Sequence, residues 1–78
     1  MQHKIDLHGL THDEAARKVE TELIRISLTN YYQVEIITGK SKSMQDKIIN
    51  EVLGPLKFFY YIPTVNEGTI IVCPDDLL

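Results

Sequence analysis

The chain has 78 residues, 44% of them hydrophobic, with a net charge of −3 and a single cysteine, Cys73. That length suits one small domain spanning residues 1–78 and leaves no room for a second. No apolar run approaches the ~18 residues that span a bilayer, the negative charge argues against strong non-specific binding to a polyanion, and one cysteine excludes a disulfide framework and a cysteine zinc site.

The N-terminal run Met1-Gln2-His3-Lys4-Ile5-Asp6 lacks an apolar signal core. Together with the single cysteine, this points to a reducing, cytoplasmic setting. His3 to His8 alternates, Ile5 and Leu7 facing one way and Lys4, Asp6 and His8 the other, so a first strand is expected there. Gly9 breaks it. Thr11-His12-Asp13-Glu14 fits a capping box, in which the threonine caps the helix and the glutamate three residues on reaches back. Leu10 and Ala15 stand where a hydrophobic staple would pack. The first helix is predicted from His12 to Ser27 or Leu28, with Ala15 or Ala16, Val19, Leu23 and Ile26 as its core stripe.

Thr29-Asn30 ends that helix, and Tyr31 to Thr38, aromatic and β-branched, reads as the second strand. Gly39 stops it. Ser41 or Ser43 caps a second helix anchored by Met44, Ile48, Ile49, Val52, Leu53 and Leu56, with Gly54-Pro55 as the stop signal. Phe58 to Val65 is the third strand, with Pro63 indicating an edge or a bend. Asn66-Glu67-Gly68 suits a hairpin turn, Thr69 to Cys73 is the fourth strand, and Pro74 ends it. Residues 75–78 read as a loose tail.

The order βαβαββ predicts a two-layer α/β sandwich. Right-handed crossovers in a sheet that grows one way put both helices on one face. The last hairpin can insert its second strand between strands two and three, which gives a mixed four-stranded sheet of order 1-2-4-3. The carboxyl ends of strands one and two then lie side by side, where ligands of open α/β sheets bind. Both helices begin at that edge, so an anion such as a phosphate suits it.

Asp6 and His8 are the first candidate pair. Two apart on a strand, they share a face, where they could serve acid–base chemistry or simply form a polar strand end. Thr38, Gly39, Lys40 and Ser41 are the second candidate, since a lysine on a loop entering a helix can neutralise a phosphate. From Gly39 to Lys57 four lysines (Lys40, Lys42, Lys47, Lys57) face two acids, Asp46 and Glu51. This run makes either a local basic patch or a solvated helix face. Gly39-Lys40-Ser41 ends like a Walker A loop, but Val34 stands where that motif requires glycine, which excludes a nucleotide loop. His3, His12 and Asp13 match no zinc spacing. Tyr31, Tyr32 and Phe58 to Tyr61 could stack bases, but suit the core better.

Asp6-Leu7-His8-Gly9-Leu10-Thr11, followed by Asp13-Glu14-Ala15, resembles the opening motif of the Smr (small MutS-related) domain. Ile36-Ile37-Thr38-Gly39-Lys40 resembles its second motif, in which histidine or threonine precedes glycine, any residue and glycine. Gly68-Thr69-Ile70-Ile71-Val72 resembles its closing glycine and strand. The resemblance implies a stand-alone, minimal member with a fold like the C-terminal domain of translation initiation factor three. It also implies nucleic acid, RNA or DNA, as the partner, and endonuclease activity of the kind several members show on RNA or branched DNA.

Carried onto these residues, the resemblance makes Asp6 and His8 catalytic. His8 would be the general base or acid, and Asp6 would orient it or hold a divalent cation such as Mg²⁺. Gly9, Thr38, Gly39, Lys40, Ser41 and Lys42 would bind phosphate. Ser41 departs from the family pattern, which has glycine there; serine restricts the loop but can cap the helix. That substitution and the acidic charge favour the alternative of a non-catalytic nucleic-acid-binding or oligomerisation adaptor, with the open sheet face available for a homodimer.

Overall fold

The computed structural model describes residues 2–29 and 33–73. The expectations for Asn30, Tyr31 and Tyr32, for Pro74 and for the tail 75–78 lie outside the described residues.

Strand β1 is Gln2–Asp6. Its last ladder bond runs from Leu7 N–H to the Ile37 carbonyl (3.1 Å). The strand therefore ends before His8, two residues short of the expected end, because the Asp6 carboxylate accepts the His8 backbone N–H and turns the chain. Helix α1 is His12–Ser27, with the expected capping box. Ala15, Val19, Leu23 and Ile26 are buried, as their spacing predicts, and Ala16 and Leu10 pack at the margin of the core.

Strand β2 is Gln33–Ile37, and helix α2 is Lys42–Ile48. Beyond Ile48 the helix widens into one π-helical turn, Ile49–Leu53, which the sequence did not announce. The Gly54 N–H reaches back five residues to the Ile49 carbonyl (2.8 Å), and Phe58 does the same to Leu53 (2.9 Å). Met44, Ile48, Val52 and Leu53 are buried anchors and Ile49 is partly buried. Leu56 is 40% exposed, contrary to expectation. It lies past the last helical turn, on a reversal that Lys57 completes with φ of 60°.

The third strand, β3, is only Phe59–Tyr61. The expected extension to Val65 fails because Pro63 has no N–H for a ladder and the Asn66 N–H folds back to the Pro63 carbonyl (3.3 Å). The hairpin connection is accordingly a longer loop, residues 62–68, whose last turn is made by Asn66 Oδ1 accepting from the Gly68 N–H (3.1 Å). Strand β4 is Thr69–Cys73, as expected.

The sheet order is β1-β2-β4-β3. β1 and β2 are parallel, with Asp6 opposite Ile37; β4 is antiparallel to both β2 and β3. Alternate strand residues, Ile5, Val34, Ile36, Ile70 and Val72, join the α1 and α2 anchors in one apolar core, which places both helices on the same face. On the other face Lys4 and Asp6 are exposed. The central position of β4 buries all five of its residues. Among the described residues no helix is long and apolar enough to cross a membrane.

Candidate nucleic-acid interface

Two strand-to-helix turns meet at one edge of the sheet, and they share a plan. Each follows a strand end with a glycine in the left-handed region, Gly9 at φ 80° and Gly39 at φ 69°. Side chains avoid that conformation. Each then caps a helix with a hydroxyl: Thr11 Oγ1 accepts the Glu14 N–H and Ser41 Oγ accepts the Met44 N–H, both at 3.2 Å. Ser41 has φ of −101°, ordinary for any residue. Ser41 is therefore unstrained and serves as the cap.

The first turn is closed by its own residues. Asp6 Oδ1 accepts from the His8 N–H (2.9 Å), the Leu10 N–H bonds the Leu7 carbonyl (3.2 Å), and Glu14 Oε1 accepts the Thr11 N–H (3.0 Å). Asp13 and Glu14 both occupy the first turn of α1, where their charge already answers the helix dipole. Lys18 Nζ donates to the Asp6 carbonyl (3.1 Å) and covers the outer edge of β1.

The second turn is held from a distance. The Thr38 and Gly39 N–H groups both donate to the Gly68 carbonyl (2.9 and 3.0 Å). Gln45, on α2 and 6% exposed, donates through Nε2 to Thr38 Oγ1 (3.1 Å) and to the Glu67 carbonyl (2.7 Å). The Thr38 hydroxyl has carbonyl acceptors in Gly39 (2.8 Å) and Gly68 (3.1 Å). Gly68 sits so close to Gly39 that an added Cβ would lie 3.4 Å from its carbonyl carbon. No acid stands in the first turn of α2.

One cleft is lined by Asp6, His8, Ile37, Thr38 and Gly39. The two candidate motifs thus share a surface, but His8 lies beyond the strand, so the turn, and not strand alternation, brings it beside Asp6. Among the described residues no hydrogen bond joins the Asp6 carboxylate to the His8 ring. On the other side of the turn Lys40 and Lys42 line a hollow with Gln45, Ile62 and Glu67.

The basic run does not act as one patch. Lys47 is bound to Asp13 across the helix pair (3.0 Å) and to Glu51 (2.7 Å), and Lys42 sits 3.4 Å from Asp46. Glu51 and Asp13 raise the Lys47 ammonium above the ordinary lysine value, and the Lys47 hydrogen bond holds Asp13 below the usual carboxylate range. Lys57 lies before β3, at the opposite end of the sheet from the turn. Lys40, exposed and in no ion pair among the described residues, follows Gly39 in the chain and lines the hollow on the other side of the turn.

Among the described residues no three His, Cys, Asp or Glu side chains gather to hold a metal. Among the described residues Asp6 is the one carboxylate lining the cleft, with one oxygen already accepting a backbone N–H. The donor set does not make a resident metal site. Burial pushes the Cys73 thiol up. The sequence reading missed Gln45 and Lys18. A polar residue beside Met44, on the helix face that turns inward, was the available signal for Gln45.

No curated protein and no solved structure matches the chain. One family model does: Smr domain, over residues 5–58. The matched segment contains both turns and both helices and stops before the β3–β4 hairpin. Since it covers more than half of the sequence, the chain belongs to the Smr domain family.

Proposed function

We propose that this chain binds nucleic acid, with the backbone phosphates seated at the cleft between the Asp6–Thr11 turn and the Thr38-Gly39-Lys40 turn. The Smr domain is a nucleic-acid-binding or nuclease-like family. The observation that carries the location is the cleft itself, lined by residues of both motifs, with Lys40 next in the chain after Gly39 and lining the hollow on the other side of the same turn. Lys40 and Lys42 supply charge to phosphate from the neighbouring hollow, Ser41 follows Lys40 in the chain, and the left-handed Gly9 and Gly39 set the course of the two turns. Contacts of this kind hold a backbone without reading sequence, and they weaken steeply with salt. Either RNA or branched DNA fits the reading.

A second reading adds cleavage, because His8 lines the same cleft. Its imidazole takes the proton of an RNA 2′-hydroxyl, the 2′ oxygen attacks phosphorus, and the 5′ oxygen leaves with a proton from solvent. Lys40, on the same turn, supplies positive charge against the charge that develops on the phosphorane. Asp6 supports this through the turn rather than through the ring, since its carboxylate holds the His8 backbone. Binding stands first, because no partner among the described residues fixes the imidazole.

The test uses RNA and branched DNA, with Mg²⁺ and with EDTA, on wild type and on Asp6→Ala, His8→Ala and Lys40→Ala. Binding is expected to weaken in Lys40→Ala. If the chain cuts, cleavage is lost and binding kept in His8→Ala. Wild-type binding in Lys40→Ala and His8→Ala alike would remove the cleft from consideration. Cleavage abolished by EDTA would refute the 2′-hydroxyl step as written.

A further inference from the structure

We propose that Gln45 is the positioning residue of this site, acting through Thr38. The side chain is 6% exposed on the core-facing side of α2, an expensive place for an amide nitrogen unless its protons are used. It donates at once to Thr38 Oγ1 (3.1 Å) and to the Glu67 carbonyl (2.7 Å). A carbonyl only accepts, so Nε2 must face Glu67, and that fixes the orientation of the amide.

The consequence falls on Thr38. A hydroxyl has one proton. While Gln45 donates to its oxygen, Thr38 has two carbonyl acceptors for that proton, Gly39 and Gly68, 2.8 and 3.1 Å away. Its backbone N–H is also taken, by Gly68, as is that of Gly39. The threonine of the second motif is therefore support and not contact, and the donors that remain for an anion begin at Lys40. Gln45 thereby ties three segments together: the end of β2, helix α2 and the loop before β4. Two of these lie within the segment matched by the family model, and the third lies outside it.

The effect on binding rests on the function proposed above; the effect on the turn does not. Amide hydrogen exchange followed by NMR tests the turn, and titration with a fluorescein-labelled RNA hairpin tests binding. In Gln45→Met, which keeps length and helix propensity, the Thr38 and Gly39 amides are expected to exchange at least about fivefold faster, the equivalent of one lost hydrogen bond. Ile36 and Val72, in the central ladder, keep their protection, and RNA affinity falls by a similar factor. Gln45→Glu removes the donors at nearly constant shape and is expected to behave alike, whereas Thr38→Ser, which keeps the oxygen, exchanges as wild type. Wild-type exchange at Thr38 and Gly39 in both Gln45 variants overturns the proposal. So does wild-type affinity in Gln45→Met when Lys40→Ala has lost affinity. If Lys40→Ala also binds as wild type, the phosphate site is what fails, and the exchange rates alone decide the role of Gln45.

Discussion

The two turns at the sheet edge use the same local devices, yet they are held by different means. Each has a strand end, a left-handed glycine and a hydroxyl cap. The first is then closed by neighbours in sequence: Asp6 with His8, Leu7 with Leu10, and Thr11 with Glu14. The second is closed by residues far away in the chain, Gly68 and Gln45. The difference has an electrostatic side. Two acids occupy the first helix start and none the second, so an incoming phosphate meets repulsion at one turn and Lys40 and Lys42 at the other.

The comparison breaks most directly at the lysines. The double variant Lys40→Ala/Lys42→Ala is expected to lower nucleic-acid affinity by at least about tenfold at low salt and to reduce the log–log salt slope by about two. Glu14→Gln, which keeps the capping box, should raise affinity slightly if a strand passes the first turn. Equal affinities for all three proteins, measured by fluorescence anisotropy across a salt series, would mean that the electrostatic contrast has no role.

The glycines test the shared plan. Nothing lies within 4 Å of a Cβ added at Gly9 or Gly39, so Gly→Ala meets only backbone strain, about 1 kcal/mol at each position. Urea unfolding should give the same loss for both. A much larger loss at Gly39 would show that the clamp from Gly68 and Gln45 resists any adjustment of that turn.

The caps should differ by less. Thr11→Ala removes one bond of a two-bond box and is expected to cost roughly 1 kcal/mol, with Ser41→Ala at roughly half that. The reverse order in urea melts would place more weight on the second helix start than its single cap bond implies.

The smallest effect concerns pH. Lys47 joins α2 to Asp13 at the first helix start. The Asp13 pKa is depressed in the folded state, so its contribution is present above the unfolded carboxylate value and is lost as pH falls through the folded one. The Lys47 pKa is raised, so that contribution is present below the unfolded lysine value and is lost as pH rises through the folded one. Asp13→Asn should lower the melting temperature slightly at neutral pH and meet wild type in acid, so that its fall with pH is flatter. A profile that superimposes on wild type from neutral pH into acid would show that the pair, with Asp13 exposed and Lys47 half-buried, adds nothing.

Much of the fold was legible because it depends on short-range rules. Thr11 and Glu14 announce the α1 start, the spacing of Ala15, Val19, Leu23 and Ile26 announces its buried stripe, and the order of elements leads to the 1-2-4-3 sheet. The site was legible in location more than in bonding. The motifs placed Asp6, His8, Thr38 and Gly39 at one edge, and they do line one cleft. The strand argument for Asp6 and His8 failed because a backbone N–H competed successfully for the carboxylate. The four-lysine run was split by Asp13, an acid on another helix that no local pattern could bring to Lys47. The π-helical turn and the exposure of Leu56 were hidden for the same kind of reason: helical periodicity assumes a constant pitch, and here packing changes it.

By itself, then, the sequence determined the element order, the caps, the glycine stops and the family, since these rest on propensities and on bonds spanning a few residues. Tertiary structure decided the partner of each polar group. Gln45 reads as an ordinary helix residue until Thr38 and Glu67, 7 and 22 positions away, converge on its amide. A buried donor takes whichever acceptor the fold delivers. That choice is made by contacts between distant segments, and it determines which residues of the second turn remain available to meet a phosphate.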